Sequence, residues 1–181
     1  MSFFRRRSRA VPASIETAEP VKAASGRDEW RKLYKYWRSK HVDGRPPAQS
    51  DLDPVLEIPR LLPVLTLLTV LPDGYEYRLA GTAVVDYVGC EMRGRKVGSL
   101  DRLLPTRQQW INVLDHVRAD QKPRLVTSHF LSRLRTDMVT LVLPLVDQTG
   151  RTERLLTGTF FDKYAEADIQ PDKIDIQEIV H

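Results

Sequence analysis

Apolar and polar positions alternate with a readable period over most of the chain. Trp30, Leu33, Tyr34 and Trp37 fall at i, i+3, i+4 and i+7, one apolar stripe on a helix. Ser25 followed by Asp28 supplies a capping-box pattern ahead of it, so a helix is predicted over 27–40. Residues 41–63 hold five prolines, which exclude a long helix and predict an extended connection with one short turn near "SDLDP". Two strands follow, 64–71 ("VLTLLTVL") and 75–80 ("YEYRLA"), joined by the turn signal "PDG". In the second strand, alternation places Tyr75, Tyr77 and Leu79 on one face and Glu76, Arg78 and Ala80 on the other. Short helical pieces run through about residue 104. Thr106 with Gln109 then caps the clearest helix, whose stripe is Trp110, Val113, Leu114 and Val117; Pro123 stops it.

Three further strands are predicted at 124–131, 137–146 and 154–161, the last two joined by the loop "DQTGRTE". Strands at both ends with helices between them predict an α+β architecture: a five-stranded antiparallel sheet with helices on one face, plus the N-terminal amphipathic helix. Residues 1–26 lack any period and read as a flexible leader, 27–162 as the domain, and 163–181 as an acidic end forming a short helix or a loose tail.

Composition narrows the class. A chain of 181 residues with 41% hydrophobic residues suffices for one self-supporting domain. Cys90 is the single cysteine, so no internal disulfide can form and a reducing, cytoplasmic setting is expected. The longest apolar runs, 61–72 and 138–146, are strand-sized and contain proline and threonine, so no membrane span is expected. The net charge of +4 resides in the first ten residues, which carry four arginines and no acid; without them 24 basic residues face 24 acidic ones. A nucleic-acid or membrane-surface adaptor working through Arg5–Arg9, with Phe3 and Phe4 beside them, is therefore disfavoured, and no nucleic-acid partner is expected. Within the body the signs separate: 27–40 carries six basic and two acidic residues, and 162–181 six acidic and two basic. That polarity could match the two ends to each other or to a partner.

The glycines at 81, 89 and 94 raise the question of a phosphate loop. Gly89 and Gly94 have the four-residue gap of a Walker loop, but Arg95 and Lys96 stand where Lys and Ser/Thr are needed. No GxGxxG spacing occurs, so the glycines are assigned to chain geometry.

The order of elements, with "YRLAGTAVVDYVGCEMRGR" and "LPLVDQTGRTERLLTGTFF" in these places, resembles the PAS sensory domain. More narrowly, the chain is similar to roughly 180-residue bacterial proteins made of one PAS domain. The shared pattern is a "YWRS" helix (Tyr36–Ser39), a "PxxxDLDP" connection (Pro47–Pro54), a "YxYRLAGT" strand (Tyr75–Thr82) and an "LPL…G" hairpin (Leu143–Gly150). The resemblance implies a sheet, helices packed on it, a pocket between them, and a role in sensing or in dimer and partner contacts.

Sharper chemistry finds less support. Flavin photochemistry of the LOV type needs a cysteine after the "GR" turn, where this chain has Lys96, Val97, Gly98 and Ser99; Cys90 precedes the turn. Haem ligation would use a histidine on the central helix, but His116 sits at the edge of the apolar stripe. Flavin and haem are thus disfavoured, and no metal pairing is apparent among His41, His116, His129 and His181. The carboxylates of "SDLD" (50–53) read as turn caps, and Arg151 with Arg154 as solvated loop charges. No catalytic motif is present, and the chain is read as a non-enzyme.

Two sets of residues remain as candidates. Leu68, Tyr77, Leu79, Tyr87, Trp110, Val113, Leu114, Val126, Leu141 and Leu143 would line a ligand pocket between sheet and helix, or close on one another as solid core. Trp30, Leu33, Tyr34 and Trp37 would form a homodimer or partner interface, or pack on their own domain. The expected function is a soluble regulatory domain acting by protein–protein contact with an unnamed signalling partner, probable dimerisation included. The alternative is a small-molecule sensor whose ligand controls that contact.

Overall fold

A computed structural model describes residues 29–99, 107–131, 135–163 and 174–178. The leader and the capping residues Ser25, Asp28 and Thr106 lie outside them. Helix α1 (Glu29–Ser39) leads through a 3-10 turn at Gln49–Asp51 into the one-turn helix α2 (Pro54–Glu57). The carboxylates of this connection are caps: Asp51 Oδ2 accepts from Ala48 N at 2.8 Å, and Asp53 Oδ1 from Leu56 N at 3.1 Å. Strands β1 (Leu65–Leu71) and β2 (Gly74–Ala80) follow, then helix α3 (Thr82–Val88) and helix α4 (Arg107–Asp120). Strands β3 (Arg124–Leu131), β4 (Arg135–Val146), β5 (Thr152–Lys163) and β6 (Ile174–Glu178) complete the chain.

The strands form one antiparallel sheet in the order β2-β1-β5-β4-β3-β6. Its first five members are the five expected. The sixth corrects the reading of the acidic end as a short helix or loose tail, because Ile174–Glu178 pairs with Arg124–Ser128. "IDIQE" alternates apolar and polar residues, a strand period that its acidity obscured.

Each strand divides its side chains between two cores. Leu68, Val126, Val142 and Leu155 pack with Val84 and Val88 of α3 and with Val113, Leu114 and Val117 of α4. Leu65, Leu141, Leu143, Leu145 and Leu156, of opposite parity, pack with Leu33, Tyr36 and Trp37 of α1. Thus α3 and α4 cover one face of the sheet and α1 the other. Full burial of one such aliphatic side chain contributes about 1.5–3 kcal/mol, so both layers hold the sheet.

The segment after α3 protects the edge of β2. Tyr77 N donates to Arg95 O (2.9 Å), Gly94 N to Tyr77 O (2.8 Å) and Val97 N to Tyr75 O (2.8 Å). This covers backbone groups that would otherwise template pairing with another chain. Gly94 permits the turn by adopting φ 77°. Gly81 is required for space: a Cβ there would lie 2.3 Å from both Leu62 O and Pro63 O.

Candidate functional site

The layer between the sheet and α3/α4 gathers five of the ten predicted pocket residues. Leu68, Tyr77, Val113, Leu114 and Val126 are all buried there. Tyr87 and Trp110 are half-buried at its margin, Tyr87 with its ring 4.9 Å from that of Phe161. Leu79, Leu141 and Leu143 lie elsewhere, for two distinct reasons. Leu67 pairs with Leu79 but Leu68 with Tyr77, so Arg78 is an extra residue, a β-bulge. The bulge reverses the facing of everything after it: Leu79 is 50% exposed, and Ala80 takes the inward place. Leu141 and Leu143 flank the inward-facing Val142 and so point to the α1 face. Sequence reasoning omitted Tyr75, Val84, Val88, Met92, Val142 and Leu155 from this layer.

Two phenols tie β2 to α4. The buried Tyr77 hydroxyl is hydrogen-bonded by the Trp110 indole; burial pushes its pKa up to about 12 against that bond, which acts to lower it. Tyr75 donates its hydroxyl to Asp115 Oδ1 at 2.6 Å. Its pKa also lies above the ordinary 10.0, first through burial and then through the carboxylate acceptor.

On the same face the centre of the sheet is polar. Thr66 pairs across strands with Thr157, and Thr140 with Thr159, which puts four hydroxyls side by side on β1, β5 and β4. They share the parity of Leu68, Leu155 and Val142, hence the α3/α4 face. Thr66, Thr140 and Thr157 are buried. Thr140 Oγ1 donates to Thr159 Oγ1 at 3.2 Å, whereas Thr66 Oγ1 is buried without a hydrogen-bond partner in the protein. Leaving such a group unsatisfied costs about 1–3 kcal/mol. The signal was present in "LTLL", "VTLV" and "LTGT", where threonines occupy the inward positions of otherwise aliphatic strands.

The predicted interface helix is largely committed to its own sheet. Leu33 is 0% and Trp37 1% exposed, and Trp37 Nε1 donates to Pro144 O at 2.9 Å. Trp30 and Tyr34 are half-buried beside the same core, and Tyr36, absent from the predicted stripe, is buried within it. As a set, therefore, Trp30, Leu33, Tyr34 and Trp37 do not form a free surface. The Tyr36 hydroxyl makes no well-formed hydrogen bond but lies beside Glu57; burial first, and that carboxylate second, raise its pKa. Glu57 in turn accepts from Lys40 Nζ at 2.5 Å, which holds its carboxyl below the usual range.

Other candidates are placed more simply. His116 is exposed on α4, its Nδ1 2.6 Å from Asn112 O, and Cys90 is half-buried. Among the described residues, no three His, Cys, Asp or Glu come together as a metal site would require. An open groove of about 700 Å³ runs between the Gln49–Asp51 turn and the β4–β5 loop. Its Asp147 Oδ1 already accepts from Thr149 N, Thr149 Oγ1 and Arg151 N.

A β2-β1-β5-β4-β3 antiparallel core, with α3 and α4 over a face that mixes aliphatic walls and hydroxyls, defines a sensory-type α+β domain. The PAS domain family model matches residues 27–160, and the chain belongs to that family. Membership carries a signal-sensing or regulatory role. No curated protein matches the chain. Among the described residues, no helix is long and apolar enough to cross a membrane.

Proposed function

We propose that this PAS domain is a non-catalytic regulatory module that senses a small molecule held between α3/α4 and the threonine face of the sheet. Thr66 carries the reading. Its buried hydroxyl has no protein partner, on a face where three more threonines lie together. A solid core favours apolar side chains at such positions, since a hydroxyl without a partner destabilises it. The ligand class that fits is neutral and amphipathic: an apolar part against residues such as Leu68 and Tyr87, and a hydrogen-bonding group toward Thr66. Occupancy would alter how α3 and α4 rest on the sheet, and a partner protein would read that change.

The test is a thermal-shift screen of small metabolites on wild type and Thr66→Val. A molecule at 100 times its Kd stabilises the folded state by about 2.7 kcal/mol. A hit on wild type that is weakened in the variant supports the reading; saturating concentrations of a broad set without any shift overturn it.

Contact with a signalling partner, and dimerisation, remain part of the proposal. Because Leu33 and Trp37 are buried in the sheet core, any contact through α1 must use its outer side.

A further inference from the structure

The outer side of α1 carries a single kind of chemistry. From Arg31 to Arg38 the exposed residues are Arg31, Lys32, Lys35 and Arg38, all cationic. Arg31, Lys35 and Arg38 follow at i, i+4 and i+7, a row about 10 Å long at 1.5 Å per residue. Arg31 lies over the Trp30 ring at 5.3 Å. Among the described residues, Lys32, Lys35 and Arg38 form no ion pair.

This arrangement does not serve the helix itself. Like charges at i, i+4 destabilise a helix by a few tenths of a kcal/mol per pair, about 0.2–0.5. Cations in the first turn also oppose the macrodipole, which favours anions there. The helix is nonetheless fixed by its buried face, so the cations are held as a rigid, uncompensated row. A surface of this kind fits an anionic partner.

The chain supplies one. Residues 162–181 hold six acids and two bases, while the chain without its first ten residues is formally neutral. The stretch includes β6, which pairing with β3 fixes in the plane of the sheet at its edge. The α1 cations lie on the side of the helix turned away from that plane, out of reach of the same molecule's β6. We propose that the cationic face of α1 docks the acidic C-terminal stretch of a second copy, and the reverse, giving a salt-sensitive two-fold dimer. Reciprocal contact between two identical patches is the closed arrangement expected of a homodimer. Exposed ion pairs are individually weak, so the association is modest and falls with ionic strength.

Sedimentation velocity on the full chain, over a concentration series at about 50 mM and about 500 mM salt, provides the test. Three proteins are needed: wild type, Lys32→Glu/Lys35→Glu/Arg38→Glu, and Glu166→Lys/Asp168→Lys/Asp172→Lys. Wild type should dimerise at low salt, and high salt or either triple reversal should weaken the dimer by about tenfold or more. An equimolar mixture of the two variants should dimerise again, because each now complements the other. A wild type that is monomeric at low salt overturns the proposal. So does a dimer whose strength ignores both reversals, or a mixture that stays monomeric. A wild-type monomer that instead binds DNA or anionic vesicles assigns the face to phosphates and likewise overturns it. None of these readings depends on a bound small molecule, so the sensing proposal stands or falls separately.

Discussion

Tyr75 and Asp115, forty positions apart, are joined by a 2.6 Å hydrogen bond from phenol to carboxylate that ties the β2 edge strand to α4. Its neighbour on β2, Tyr77, bonds Trp110 on the same helix. Together these contacts hold the helix that roofs the threonine face.

The phenols predict an alkaline limit to stability. Tyr75 and Tyr77 both have pKa values above the ordinary 10.0 in the folded state, so folding favours their neutral forms. That contribution is complete below pH 10 and is lost as pH rises toward about 12 for Tyr77. Tyr75→Phe should cost about 1–2 kcal/mol at neutral pH and flatten the decline above pH 10. Urea midpoints at pH 7 and through about pH 9 to 11.5 check both points. An unchanged alkaline slope in both Tyr75→Phe and Tyr77→Phe would remove the phenols from the account.

Trp37 should behave as core. Trp37→Ala removes a buried indole and its bond to Pro144 O, and is expected to cost about 3–5 kcal/mol in equilibrium unfolding. Trp37→Phe keeps much of the volume but leaves the carbonyl without its donor, for about 1–2 kcal/mol. Reversing the charges of Lys32, Lys35 and Arg38 should change the midpoint little. A mild Trp37→Ala would mean that α1 is not anchored as described.

Two glycines should respond differently to alanine. At Gly81 the new Cβ meets the backbone oxygens of Leu62 and Pro63 at 2.3 Å, atoms that cannot rotate away, so the loss should reach about 3 kcal/mol or more. At Gly94 the space is open and only the φ of 77° resists, for about 1–2 kcal/mol. Equal losses in thermal unfolding would contradict this assignment of their roles.

Thr66→Val separates ligand site from packing by the sign of two effects. Without ligand the variant loses an unpaired buried hydroxyl at nearly constant volume, and should gain about 1 kcal/mol, or roughly 2–4 °C in Tm. With ligand it should be stabilised less than wild type. A variant that is less stable without ligand would show that the hydroxyl has a structural partner.

Much of the sheet was legible in the sequence because its strands keep a period of two between strong turn signals. Failures arose where one residue changes parity or where polarity misleads. The bulge at Arg78 sends Leu79 outward, and no local pattern announces an inserted residue. Leu141 and Leu143 belong to a strand apolar on both sides, 138–146, in which alternation cannot tell one face from the other without the helices that cover them. Tyr36 was overlooked beside Trp37 because the stripe on α1 is wider than four positions. The acidity of 163–181 concealed β6. Of the candidate site, the aliphatic half was readable from the stripe on α4. The threonine half emerged only when strand register set Thr66 beside Thr157 and Thr140 beside Thr159.

Native mass spectrometry of the full chain as purified, paired with a denatured sample of the same preparation, tests the sensing proposal most directly. The account predicts a discrete extra mass on the native protein that vanishes on denaturation and is diminished in Thr66→Val. A native mass equal to that of the polypeptide, unchanged after incubation with a cell metabolite extract, would contradict it.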